Sequence, residues 1–157
     1  GGAEVQIAGR NTKATEKMCL DMKCKPIDWS ARHDTEVDFV INCTPAGMHP
    51  DLNSTPFDTD KLSSRILVFD TVYNPQQTLL LKGAKEQKCR TITGADMFVR
   101  QAAMQYKLFT GQDPNVSEMK RIFLEAINPA KFNRTRKKDT APSDSQPQSS
   151  SVDAASK

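Results

Sequence analysis

Apolar positions along this chain fall into short continuous runs that alternate with longer stretches of helical spacing. Val5 to Ala8 reads as a short strand, and Thr12 to Lys23 as a helix whose Met18 and Met22 stand one turn apart. A weaker strand follows around Pro26 to Trp29. Val37 to Ile41 and Ile66 to Phe69 are nearly unbroken apolar runs, the pattern of strands covered on both faces. Between them, residues 45–60 are rich in Pro, Asn, Asp and Ser and read as loop. Leu79 to Gln87 is helical in pattern, Arg90 to Thr93 extended, and Asp96 to Phe109 helical with Gly111 as its stop. A last amphipathic helix follows Asp113-Pro114-Asn115, with Met119, Ile122, Phe123, Ala126 and Ile127 on one stripe and Asn128-Pro129 ending it. Strands alternating with helices at this spacing predict an α/β fold, a parallel sheet with crossover helices.

Composition adds a boundary. The 157 residues are about one domain, but the polar ones gather at the C-terminal end. Residues 1–130 carry the core. Residues 131–157 begin with Lys131, Arg134, Arg136, Lys137 and Lys138 and continue as Ser, Pro, Gln, Asp and Ala with one valine, a composition that reads as a disordered tail. A net charge of +3, much of it from that basic cluster, reads as a solvated boundary and gives no reason to expect a nucleic-acid partner. No apolar run approaches the roughly 20 residues of a membrane span and no signal-peptide pattern opens the chain, so a soluble cytoplasmic protein is expected. Cys19, Cys24, Cys43 and Cys89 lack CxxC spacing and histidine clusters, so neither a metal site nor a disulfide framework is expected, only reduced thiols.

Two polar runs close buried strands: Asn42-Cys43-Thr44-Pro45-Ala46-Gly47-Met48-His49-Pro50 and Phe69-Asp70-Thr71-Val72-Tyr73-Asn74-Pro75. Open α/β sheets bind ligands at such carboxyl ends, with Gly47 free to turn the backbone close to one. Loop capping explains the first run equally well, and Tyr73, whose phenol can donate to a carboxylate or hydroxyl, also fits a structural role. At the first strand's end, Gly9-Arg10-Asn11-Thr12-Lys13 contains no acid. In a dinucleotide fold an acid there reads the ribose of NAD, whereas an arginine suits the extra phosphate of NADP. Arg10 reads either so or as a surface arginine beside an ordinary helix cap. On the helix from Asp96 to Phe109, Met97, Phe98, Ala102, Met104, Leu108 and Phe109 form a broad apolar arc with Gln101 and Gln105 near its middle. If that arc is buried, each amide needs an interior partner or a bound polar ligand. His33 and His49 read as surface histidines.

Taken in order, these motifs resemble the C-terminal half of shikimate dehydrogenase. The resemblance runs from about Gly2 to Pro114 and rests on Gly2-Ala3-Glu4-Val5 into Gly9-Arg10-Asn11-Thr12, on Asn42 to Met48, on Asp70 to Pro75 with Thr78-Leu79-Leu80, and on Gly94 to Ala102. It implies a Rossmann-like parallel sheet and NADP-dependent hydride transfer between 3-dehydroshikimate and shikimate, in aromatic amino acid biosynthesis. By motif position it implies that Arg10, with Asn11 beside it, binds the 2′-phosphate. Thr44 and Thr71 would line the cofactor, Gly94 and Met97 would lie by the nicotinamide, and Tyr73 and Gln101 would contact shikimate. It leaves Gln105 structural.

The chain departs from the family in three places. The spacing from Arg10 to the helical Lys-Ala is one residue short, Lys88 stands where a helix-ending glycine is common, and the first half is missing. The first strand, the glycine-rich phosphate loop and the substrate domain with its catalytic Lys and Asp do not appear, so the sheet is expected to be incomplete, with an open edge or groove, and the chain inactive alone. The family includes forms fused to 3-dehydroquinate dehydratase. Quinate dehydrogenase, which would prefer NAD, and a non-catalytic interaction module are the alternatives.

Overall fold

The computed structural model describes residues 2–128, so the disordered tail expected over 131–157 lies outside the described residues. The elements run β1 (Gln6–Ala8), α1 (Thr12–Met22), β2 (Lys25–Ile27), β3 (Phe39–Asn42), a 3-10 turn at Thr59–Lys61, β4 (Leu67–Asp70), α2 (Leu79–Glu86), β5 (Arg90–Ile92), α3 (Gly94–Thr110) and α4 (Val116–Ile127). Each predicted element is present, with bounds shifted by one or two residues.

Side chains written into the sequence start the helices. Asn11 accepts from Ala14 N at 3.1 Å and Asn115 from Glu118 N at 3.1 Å, each satisfying a donor that the first turn leaves open. At α3, Thr93 and Asp96 form a capping box, the Thr93 hydroxyl accepting from Asp96 N while the Asp96 carboxylate accepts from Thr93 N. That reciprocal cap moves the helix start two residues upstream of the expected Asp96. Gly111, at φ +70°, ends α3 as expected.

All strand pairs are parallel, as predicted. They divide into two groups, β1–β2 and β3–β4–β5, and no ladder joins the groups among the described residues. The sheet therefore keeps the open edge expected of it. α2 covers one face of the larger group, burying Leu80, Ala84 and Val68 with Phe57, Leu62, Ile66 and Cys89, and Val40 packs against them. Leu80, Leu81 and Val68 are fully buried, and each contributes about 1.5–3 kcal/mol by leaving water. The opposite face is only partly covered, with Leu67 and Phe69 of β4 half-buried. Phe39 and Ile41 are exposed there, so the Val37 to Ile41 run, read as covered on both faces, is covered on one. A continuous apolar run records that both faces are meant to be buried; it does not supply the second cover.

α4 lies along α3, fastened by the stacked rings of Phe98 and Phe123 (4.5 Å between centroids) and by Lys120 Nζ to Asp96 Oδ1 at 2.6 Å. Burial pushes the Asp96 carboxyl up, but the hydrogen bonds and charge of Lys120 and Thr93 outweigh it and hold the group below the ordinary carboxylate range. Of the predicted α4 stripe, Met119, Phe123 and Ile127 are half-buried, while Ile122 and Ala126 face water. Among the described residues no helix is long and apolar enough to cross a membrane.

The segment after β2 is pinned to the loop before the 3-10 turn. Arg32 Nε donates to Pro56 O at 2.7 Å with its guanidinium 3.8 Å over the Trp29 ring, and His33 Nδ1 accepts from Asp58 N at 3.2 Å beside the Phe57 ring. His33 is thus half-buried and bonded as a neutral acceptor, which corrects its reading as a surface histidine. Burial, and then the Arg32 charge, hold its pKa below the ordinary histidine value. A group whose folded pKa is depressed stabilises the fold above its unfolded pKa, near 6.5, and loses that stabilisation as pH falls through the lower folded value. Urea unfolding should therefore show stability falling below about pH 6.5, and His33→Gln should remove that part of the acid sensitivity. Lys88, which stands just past the end of α2 where the resemblance implies a glycine, adopts φ +60°. Lys88→Gly should raise the unfolding free energy by about 0.5–1 kcal/mol, read from the same urea curves.

Candidate functional site

β3 and β4 end level with each other, Asn42 opposite Asp70. Both end residues are polar and buried, and the chemistry of the site starts from how they satisfy each other. Asp70 is wholly buried; Oδ1 accepts from Asn42 Nδ2 at 3.0 Å and from Val72 N at 3.0 Å, while Oδ2 accepts from the Thr78 hydroxyl at 2.6 Å. Asn42 passes the order on. Its Oδ1 accepts from Thr44 N at 2.9 Å and from the Thr44 hydroxyl at 2.7 Å, its Nδ2 also donates to Ala46 O at 3.3 Å, and its carbonyl accepts from Thr71 N and the Thr71 hydroxyl at 3.0 and 2.9 Å. Thr44 and Thr71 are thereby set side by side at the strand ends.

The two polar runs then meet again beyond the strands, where His49 N donates to Asn74 O at 3.2 Å. The His49-Pro50 and Asn74-Pro75 peptides are both cis. Gly47 turns the first run at φ +84°, a conformation that strains any side chain, with its N–H on the Ser54 hydroxyl at 2.9 Å and a tight fit for a Cβ at 3.3 Å from Thr78 Cβ. Between the runs lies a cleft of ≈ 480 Å³ walled by Cys43, Thr44, Met48, His49, Thr71 and Tyr73. This is the size of a small-molecule site and it stands at a sheet's carboxyl end.

The α3 start is pressed onto the same loop. A Cβ on Gly94 would lie 2.3 Å from Thr71 O and 2.5 Å from Val72 O, so only glycine lets the helix begin there. Half-buried Met97 follows one turn in. Tyr73 is packed by its ring against Phe98 at 5.8 Å and Phe123 at 5.9 Å, which fixes the phenol's direction at the cleft edge while leaving the side chain partly open to solvent. Thr44, Thr71, Tyr73 and Gly94 are therefore brought to one neighbourhood, and Met97 lies one helical turn beyond Gly94. Arg10 and Asn11 stand apart from the cleft wall, at the β1–α1 turn: Arg10 exposed, Asn11 with its carbonyl oxygen engaged in the cap and its amide nitrogen pointing outside that bond.

Gln101 sits differently from its reading. It is exposed, as is Gln105, and α3 buries Ala95, Val99 and Ala103 in their place. The large apolar arc is mostly outside as well, with Met104 69%, Leu108 80% and Phe109 86% exposed. A narrow strip of small side chains allows close backbone approach, and it wins the interior contact here. Neither amide therefore needs a buried partner. The sequence reading also missed the roles of Asn42, Asp70 and Thr78 as one network; the signal was an acid and an amide closing neighbouring apolar strands.

Asp70→Ala should lower the unfolding free energy by about 3 kcal/mol, because the donors of Asn42, Val72 and Thr78 lose their acceptor together. Gly94→Ala should cost about 2–4 kcal/mol through displacement of the α3 start. Urea unfolding of each variant measures both.

The family model of the shikimate 5′-dehydrogenase C-terminal domain matches residues 94–122, from the start of α3 into α4. The shikimate dehydrogenase (NADP(+)) of Bacillus subtilis (strain 168) is 40% identical over 89 residues, 57% of this chain and 32% of that protein. That of Methanosarcina acetivorans is 33% identical over 135 residues, 80% of this chain and 48% of that protein. Among solved structures, the quinate dehydrogenase of Corynebacterium glutamicum in complex with NAD superposes with a TM-score of 0.70 at 33% identity, over 80% of this chain and 47% of that one. The chain spans between about a third and a half of the length of these relatives. By sequence and by fold together, the chain is similar to the C-terminal half of the shikimate dehydrogenases and of a quinate dehydrogenase built on the same fold.

Proposed function

We propose that this chain is the NADP-binding half of a dehydrogenase that interconverts 3-dehydroshikimate and shikimate, and that it turns over only together with a substrate-binding half. The observation that carries the reading is the cleft at the joint carboxyl ends of β3 and β4, walled by Thr44, Thr71 and Tyr73, with the α3 start abutting it at Gly94. The exposed Arg10 beside a helix N-terminus, in a Gly9 to Lys13 turn whose sequence contains no acid, fits a nucleotide carrying a 2′-phosphate.

When bound, NADP supplies a hydride donor and acceptor at its nicotinamide ring. The chain's own residues would do the rest by position. Arg10 would pair with the 2′-phosphate as a bidentate donor, and Asn11 would add its free amide hydrogens. Thr44 and Thr71, already fixed through Asn42, would line the cofactor, and Gly94 and Met97 would form the nicotinamide side. Tyr73, oriented by Phe98 and Phe123, would donate its phenol hydrogen to a polar group of shikimate, and exposed Gln101 would reach the same molecule. The uncovered faces of β3 and α3 would pack against the other half. The setting is cytoplasmic on this reading, in keeping with cysteines that are all unpaired.

Similarity to a quinate dehydrogenase in complex with NAD favours a second reading, in which quinate and NAD replace shikimate and NADP. Arg10 weighs against it. One experiment separates the readings: join the N-terminal half of the Methanosarcina acetivorans enzyme to this chain and measure reduction of 3-dehydroshikimate with NADPH. The 157-residue chain alone should be inactive, the chimera active, and Arg10→Ala should raise KM for NADP about tenfold, a loss of about 1.4 kcal/mol, with little change for NAD. A folded chimera that turns over quinate with NAD in preference supports the second reading. One with neither activity returns the chain to a non-catalytic binding module.

A further inference from the structure

We propose that Cys19 and Cys24 form a dithiol site that closes, by exchange with a low-molecular-weight disulfide, into a reversible bond across the end of α1. The inference is independent of the dehydrogenase reading and rests on how the helix stops. Lys23 takes the left-handed conformation at φ 54°, and its N–H bonds back to the Cys19 carbonyl. The Cys24 N–H donates to that same carbonyl at 3.0 Å. This is a Schellman-type ending, which turns the side chains of its first and last residues toward each other, usually as an apolar contact. Here both are thiols.

The geometry admits a bond. With the amide and carbonyl 3.0 Å apart, the lengths of the intervening bonds hold the two Cα atoms to under about 7 Å, the span a disulfide needs. Cys19 is 3% exposed and Cys24 half-buried, so Cys24 is the more reachable of the two. Burial, and then the neighbouring Cys24 thiol, hold the Cys19 thiol above its ordinary range. The order of attack follows from that difference.

Oxidised glutathione serves as the co-reactant. The Cys24 thiolate attacks one of its sulfurs, the small disulfide breaks, a mixed disulfide forms on Cys24 and one glutathione thiolate leaves with the electron pair. Cys19 then gives its proton to the buffer, and its thiolate attacks the Cys24 sulfur and expels the second glutathione thiolate. The two cysteines are oxidised by two electrons, one small disulfide is reduced to two thiols, and the two protons end on buffer or the departing thiolates. The product staples α1 to β2, whose first residue, Lys25, directly follows Cys24.

The test is peptide mapping of the folded full chain incubated with oxidised glutathione, quenched by alkylation and cut with trypsin. Lys23 lies between the two cysteines, so cleavage after it should leave two peptides joined through sulfur and released only by reductant, in protein whose mass has fallen by two hydrogens. Cys19→Ser should accumulate the mixed disulfide on Cys24, and Cys24→Ser should leave Cys19 unmodified. A glutathionyl group persisting on Cys24 of the unsubstituted chain, or a Cys19–Cys24 link that forms only in urea, would overturn the proposal.

Discussion

The Asp70 carboxylate is the constraint on which the site depends. A carboxylate without water must have its acceptor capacity filled, and here it is filled by three donors from three places: a side chain on the neighbouring strand, the backbone two residues on, and the cap of the next helix. Satisfying Asp70 therefore fixes the spacing of β3 and β4, the path of the chain after β4 and the start of α2 in one step. Thr78 does double duty within it, donating its hydroxyl hydrogen to Asp70 and accepting from Leu81 N at the first turn of α2. Asn42 carries the order outward to Thr44 and Thr71, so the walls of the cleft are placed by a group that never touches it.

The same hierarchy runs through α3. Its start is set by the Thr93–Asp96 box and by the absence of a side chain at Gly94. Asp96 also holds Lys120 of α4, and Phe98 stacks on Phe123 of the same helix. Tyr73 meets both rings. A residue at the cleft edge is thus oriented by a helix that begins more than forty residues later in the chain, and the region matched by the family model is the one that supplies this backing.

The parallel α/β fold was legible because strand and helix periods differ so clearly in stretches such as Val37 to Ile41 and Leu79 to Gln87. Cap chemistry was legible too where it is local, as at Asn11 and Gly111. The face of α3 was not. Periodicity located an apolar arc through Met104, Leu108 and Phe109, but no rule of spacing states what is there to cover it, and the strip of Ala95, Val99 and Ala103 took the interior instead. The site divides in the same way. Thr44, Thr71, Tyr73 and Gly94 stand together at the carboxyl ends of β3 and β4. Gln101 lost its burial argument with the arc, and the Asn42–Asp70–Thr78 network went unread because it joins residues distant in sequence.

That uncovered arc has a meaning in the cell beyond the site. A helix that holds Leu108 and Phe109 out in water presents the kind of surface that chaperones and proteases use to recognise unfinished proteins. A partner packed across α3 would remove that surface, and the lifetime of the chain would then depend on whether the helix is covered.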